Sequence, residues 1–199
     1  MRLLCATVVT MMVASFGVSS AHELGARGDL PSRFERFVIP GGGVRVLQYY
    51  SIGDVDGRGG AARFRVGRIS AVGQAAALIA LEVRVSTTTD PRALQAGFVD
   101  ADDLESLMKA LGELERVFKN RALVANAETA EAECSAGTVR IGAVLTNRPG
   151  DRDRLLIVVG NPSRATAAFD PGDIAKIQAL VSKALEKIAE LGSLKSGDR

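Results

Sequence analysis

The chain has 199 residues, 47% of them hydrophobic, with 25 lysines and arginines against 23 aspartates and glutamates. Such a balance lacks the basic surface that nucleic-acid binding demands, so nucleic acid is not expected as a partner. His22 is the only histidine, which removes Ser-His-Asp and Cys-His catalysis within one chain and zinc sites built on several imidazoles.

Met1-Arg2 opens the chain, no charge occurs from Leu3 to Ala21, and Ser19-Ser20-Ala21 sets small residues where a signal peptidase cuts. This is the three-part export pattern, so residues 1–21 are expected to be a cleaved signal peptide and the product periplasmic or secreted. The alternative is a membrane anchor, because the uncharged stretch is just long enough to cross a bilayer. Thr7, Thr10, Ser15 and Gly17 interrupt it and favour cleavage. No later apolar run is long enough to span a membrane. Cys5 precedes most of the apolar region, the wrong order for a lipoprotein acylation site, and its removal leaves Cys134 with no disulfide partner. Cleavage after Ala21 would make His22 the first residue, where amine and imidazole could grip copper. A copper brace needs a second histidine, and a disordered terminus is the simpler reading.

Residues 22–199 are then about 178 residues, enough for one domain with its own core. Losing Arg2 with the leader leaves 24 basic against 23 acidic side chains, a nearly neutral body. Turn-forming clusters at Pro40–Gly43, Gly53–Gly60, Asp90-Pro91, Arg148-Pro149-Gly150-Asp151 and Asn161-Pro162 divide this region. Between them Ile79, Leu81, Val83 and Val85 alternate with Ala80, Glu82 and Arg84, and Val139, Ile141, Ala143 and Leu145 with Arg140, Gly142 and Val144. A two-residue period predicts strands. Further strands are expected at Val44–Tyr50, Ala62–Ile69, Leu123–Cys134 and Arg154–Val159, with short ones ending at Phe98 and Phe169.

Two helical segments stand in register seventy residues apart, Gly97–Leu114 and Ala167–Ala184, with Asp100 matching Asp170 and Asp103 matching Asp173. Each aspartate pair has the spacing of a capping box, and Pro171 suits a first helical position. Leu104, Leu107, Leu111, Leu114 and Phe118 follow helical spacing in one copy, and Ile174, Ile177, Val181, Ala184, Leu185 and Ile188 in the other. Connections too short for crossover helices make successive strands antiparallel. The expected fold is α+β: a duplicated antiparallel β-meander plus helix, pseudo-two-fold, with two helices on one face of a curved sheet. The repeats would run over about 36–120 and 121–192.

The cap aspartates, the Leu-x-x-Leu/Met-x-x-Ala-Leu pattern after them and the Pro-x-Asp-Ile of the second copy resemble an uncharacterised family of small duplicated proteins. Their helices open with a Phe or Tyr, Asp, x, Asp/Glu pattern. The resemblance covers roughly Ala62 to Leu191; it implies the architecture and brings no activity, catalytic residue or ligand with it.

Chemistry-bearing residues are sparse. Cys134 follows Ala130 and Ala132 at strand spacing, which predicts a buried, inert thiol. Asp100, Asp102 and Asp103, like Asp54 and Asp56, lack the ligand ladder of a calcium loop, so capping explains the first cluster and a turn the second. Gly41–Gly43 and Gly57-Arg58-Gly59-Gly60 lack the setting of a nucleotide cradle and read as hairpin turns. Arg63 and Arg65 fall on one side of a strand and Arg68 on the other, while Arg148, Arg152 and Arg154 gather beside Asp151 and Asp153. Such mixed charge reads as solvated surface, with an anion site as its alternative. Glu82, Asp90, Glu128, Glu131 and Glu133 could serve acid and base work, but sequence pairs none of them. Tyr49 and Tyr50, without a tryptophan, make a thin platform for sugar rings.

These readings nominate no catalytic, cofactor-binding or metal residue. They favour an exported, non-enzymatic binding or structural module of the cell envelope, with another envelope protein or a small ligand as partner. The alternative is a small hydrolase using carboxylates or a Ser-Lys pair in a cleft between the repeats. Self-association through edge strands is a third reading.

Overall fold

Among the described residues, period-two runs of branched and aromatic residues become eight strands, and their short connections wind them into two meanders. A computed structural model of the protein describes residues 31–38, 44–72, 77–88, 94–160 and 164–193. The leader, His22 and the Pro40–Gly43, Asp90-Pro91 and Asn161-Pro162 turns lie outside the described residues. Strands β1 (Arg45–Gly57), β2 (Gly60–Ala71), β3 (Ala77–Thr87) and β4 (Gln95–Asp100) form one antiparallel sheet in chain order. Strands β5 (Thr129–Ala136), β6 (Val139–Thr146), β7 (Arg154–Val159) and β8 (Ala165–Phe169) form the second. A short helix α1 (Arg33–Val38) precedes the first sheet; α2 (Leu104–Lys119) and α3 (Ile174–Ser193) follow the first and second sheets, each after a single 3₁₀ turn. The fold is α+β and duplicated, as the sequence pattern predicts.

Inward residues of both sheets and one stripe of each long helix share a single core. Leu81, Val83 and Val85 of β3 and Val139, Ile141 and Leu145 of β6 are buried there. Leu104, Leu107, Leu111 and Leu114 of α2 meet the corresponding Ile174, Ile177, Val181 and Ala184 of α3 in the same core. Each helix packs mainly on the sheet of the other copy, α2 against β5 and β6, α3 against β1 and β2. Gly53, at a register shift in β1, makes room for this crossing: a Cβ there would stand 2.7 Å from Leu180 of α3. No described helix is long and apolar enough to cross a membrane.

Main-chain hydrogen bonds lock the sheets together reciprocally. The Gly59 amide in the β1–β2 turn donates to the Ala168 carbonyl of β8 at 3.1 Å, and the Thr138 amide in the β5–β6 turn donates to the Phe98 carbonyl of β4 at 3.1 Å. The turns in turn accept from the ends of the third strands, Thr88 to Gly59 at 3.3 Å and Gly160 to Thr138 at 3.2 Å. Phe98 and Ala168 are seventy residues apart, so the same contact is made twice about a pseudo-two-fold axis. Backbone approaches this close exclude side chains: a Cβ on Gly57 would lie 2.4 Å from the Ala168 oxygen, and one on Gly137 2.0 Å from the Phe98 oxygen.

Three expectations are corrected. Residues 53–57 continue β1 and leave only Arg58-Gly59 as the turn, because the register shift at Gly53 carries pairing past it as far as Gly57. Asp54 and Asp56 therefore lie on a strand, exposed on either side of buried Val55. Residues 121–124 form a 3₁₀ turn that plugs Val124 into the core, so β5 begins only at Thr129. Gly97–Asp100 belongs to β4.

Gly137 has a φ of +56° as well as the close approach to Phe98. Gly137→Val is expected to destabilise the fold by about 2 kcal/mol or more, combining the left-handed penalty with the clash. Denaturant midpoints at unchanged m-value would read this loss.

Candidate functional site

The outer face of the first sheet, opposite the core, carries a set of long-range polar contacts organised by α1. Ser32 and Glu35 start this helix as a capping box: the Glu35 amide donates to Ser32 Oγ at 3.0 Å and the Ser32 amide to Glu35 Oε2 at 2.8 Å. The two amides between them, of Arg33 and Phe34, donate to the Asp100 carboxylate at 2.8 and 3.2 Å. A negative group at a helix N-terminus is favoured by charge as well as by hydrogen bonding. The Arg33 side chain then bridges Asp100 at 3.4 Å and Asp102 at 2.5 Å; its bond to Asp102 raises the guanidinium's pKa further.

Below this polar end, Phe34 is fully buried on Ile69 and Ala80 and stacks on Phe98 with ring centroids 5.1 Å apart. Burying one phenylalanine contributes roughly 1.5–3 kcal/mol. Gly67 is the hole that receives it: a Cβ there would stand 2.9 Å from the Phe34 ring and 3.3 Å from Tyr49. Glu35 also accepts from the Thr138 hydroxyl at 2.8 Å, and that hydroxyl accepts from the Phe98 amide at 3.0 Å. Helix α1 thereby staples β4 to the hairpin tip of the other copy.

The aspartate pairs accordingly play different parts. In the second copy the Asp170 amide donates to the Asp173 carboxylate at 3.2 Å and the predicted box forms. In the first copy neither Asp100 nor Asp103 makes a side-chain cap at the helix that follows. Asp100 is turned to α1, which offers two free amides and an arginine. The Ser32-x-x-Glu35 spacing was the sequence signal for α1, and its use of Asp100 has none, since the partners stand sixty-seven residues apart.

The remaining nominated residues are dispersed. Glu82 is 1% exposed, but both its oxygens are taken, by Arg65 at 2.5 Å and Arg84 at 3.0 Å, with Arg65 stacked over Tyr49 at 4.2 Å. Arg148 pairs with Glu128, and Arg121 with Asp153 at 2.5 Å. Glu131 and Glu133 are exposed on β5; Asp90 lies outside the described residues. Among the described residues no group of three or more histidine, cysteine or acidic side chains could hold a metal ion.

The first sheet also leaves a long open margin. β1 is its edge strand, and Val46, Leu47 and Tyr49 are 47%, 40% and 39% exposed, with Val44 and Val72 beside them. Adjacent strand residues point to opposite faces, so both sides of this half of β1 are partly exposed. The equivalent β5 is eight residues long against thirteen in β1, and its outward residues Glu131 and Glu133 are charged.

Comparison of the chain with protein-family models, with curated proteins and with solved structures returns no match.

Cys134 is free and buried, and burial pushes its thiol up to about 12 from a reference of 9.0. In native protein it is expected to resist a thiol reagent near pH 8 and to react fully in denaturant. Between pH 9 and 12 the unfolded chain holds fewer protons at this site than the folded one, so stability falls as pH rises, by at most about 1.4 kcal/mol per pH unit. Cys134→Ser would flatten that part of the profile; equal slopes would overturn the assignment.

Gly67→Val should displace Phe34 while sparing the inner core. Amide exchange across 33–38 is expected to quicken with little change in the protection of β6 and α3.

Proposed function

We propose that the protein is an exported, non-enzymatic binding module of the cell envelope, and that it takes a partner polypeptide as an added strand along β1. The single observation behind this reading is the apolar, two-sided exposure of Val46, Leu47 and Tyr49 on an edge strand. Such an edge offers unpaired main-chain donors and acceptors together with side-chain grip on both faces. A strand of this length and apolarity is a hazard unless something covers it, and proteins ordinarily blunt such edges with lysine, proline or bulges. The one bulge in β1, between Ser51 and Gly53, lies outside the exposed stretch. Export rests on the leader-like residues 1–21, and kinship on the paired helix starts that resemble the uncharacterised duplicated family.

Replacing Val46 and Leu47 together by lysine tests the reading. In the mature protein, a photo-crosslinker placed at Gln48 is expected to trap an extended segment of another envelope protein. The double variant should lose that product while keeping its circular dichroism and melting temperature. A concentration-dependent dimer by light scattering, abolished by the same variant, would replace the partner with a second copy. No crosslink of either kind, or one indifferent to the two lysines, would overturn the proposal.

A further inference from the structure

The pseudo-two-fold relation predicts a second place like the one α1 occupies, and the second copy has it. Pairing of Leu81 with Val99 and of Leu155 with Phe169 aligns the copies strand by strand, so that Ala80 corresponds to Arg154 and Phe98 to Ala168. Where Phe34 rests on Ala80 and Phe98 in the first copy, the second has an open pocket of about 200 Å³ with Arg154 and Ala168 in its wall. Ala168 is its apolar side chain, since the neighbouring Phe169 turns its ring into the core, while Arg58, Arg152 and the 150–153 turn complete the rim.

Charge in this pocket is unevenly spent. Asp170 is paired with Arg58 at 3.3 Å, much as Asp100 is paired with Arg33. Asp153 accepts from Arg121 at 2.5 Å and from the Thr146 amide at 2.9 Å. The Arg152 and Arg154 side chains have no ion-pair or hydrogen-bond partner among the described residues, and Asp151 is the one acidic side chain of the rim left to oppose them. In the first copy the equivalent depression is filled by Phe34 of α1; in the second, an arginine stands at the position of the Ala80 seat.

We propose that this pocket binds a small oxyanion, a carboxylate or phosphoryl group, gripped by Arg152 and Arg154 with its attached carbon part against Ala168. Paired guanidinium groups suit either head group, since each donates two parallel N–H bonds to two oxygens. The site is separate from the β1 edge and stands or falls without it.

Inorganic phosphate and succinate, titrated separately into the mature protein at low ionic strength and followed by amide chemical shifts, distinguish the two head groups. Saturable shifts at residues 150–154 and 168–170 with at least one of them are expected, weakening as salt is added. Arg152→Gln with Arg154→Gln should lower affinity about tenfold or more, the loss of charge-assisted hydrogen bonds. Asp151→Asn should raise it. Both arginines are exposed, so an unchanged melting temperature in the double variant will show that folding is spared. Absence of saturation with both anions up to about 20 mM, where even millimolar sites fill, would overturn the proposal, as would affinity unaltered by the arginine substitutions.

Discussion

Everything in this molecule depends on how closely the tip of each first hairpin approaches the last strand of the other copy. The Gly59–Ala168 and Thr138–Phe98 bonds satisfy main-chain groups on β8 and β4 that a pair of separate open sheets would leave to water. Glycine is required there for contact rather than for looseness, because any Cβ at Gly57 or Gly137 would overlap a carbonyl. With the tips seated, the two inner faces become walls of one cavity, and the leucine and isoleucine stripes of α2 and α3 fill it.

Duplication fixed the core, and the two outer faces then diverged. One recruited α1, with Phe34 on a glycine-floored apolar seat and Asp100 turned to the incoming helix. The other has its aspartate at the helix that follows and Arg154 at the position of the apolar seat. The aspartates differ because helix α2 tolerates an uncapped start while its buried leucines hold it, and the N-terminal segment had more to gain from the charge.

Helix faces, strand alternation and the seventy-residue offset were legible because each is a local pattern repeated along the chain. Leu104, Leu107, Leu111 and Leu114, and their partners in the second copy, are buried as their spacing implies. What escaped was set by distance in the sequence. Glu82 reads as an alternating polar residue facing water, yet it is buried because Arg65, seventeen residues away, covers it. Gly53 reads as a turn and instead seats Leu180. Asp100 reads as a cap for the next helix and serves the first. Exposure along β1 was equally hidden, since an edge strand and a covered one share the same alternation until neighbours are known.

Helix exchange between the copies carries a consequence for biogenesis. As the polypeptide emerges, the sheet built from residues 45–100 has no cover for β1 and β2 until residues 174–193 are made, and α2 has no sheet to lie on until β5 and β6 exist. Neither half is a self-sufficient folding unit, and a lone half would satisfy its helix only by exchanging it with a twin. Both halves are therefore completed together, once residues 174–193 have joined the chain and each helix has the other copy's sheet to lie on.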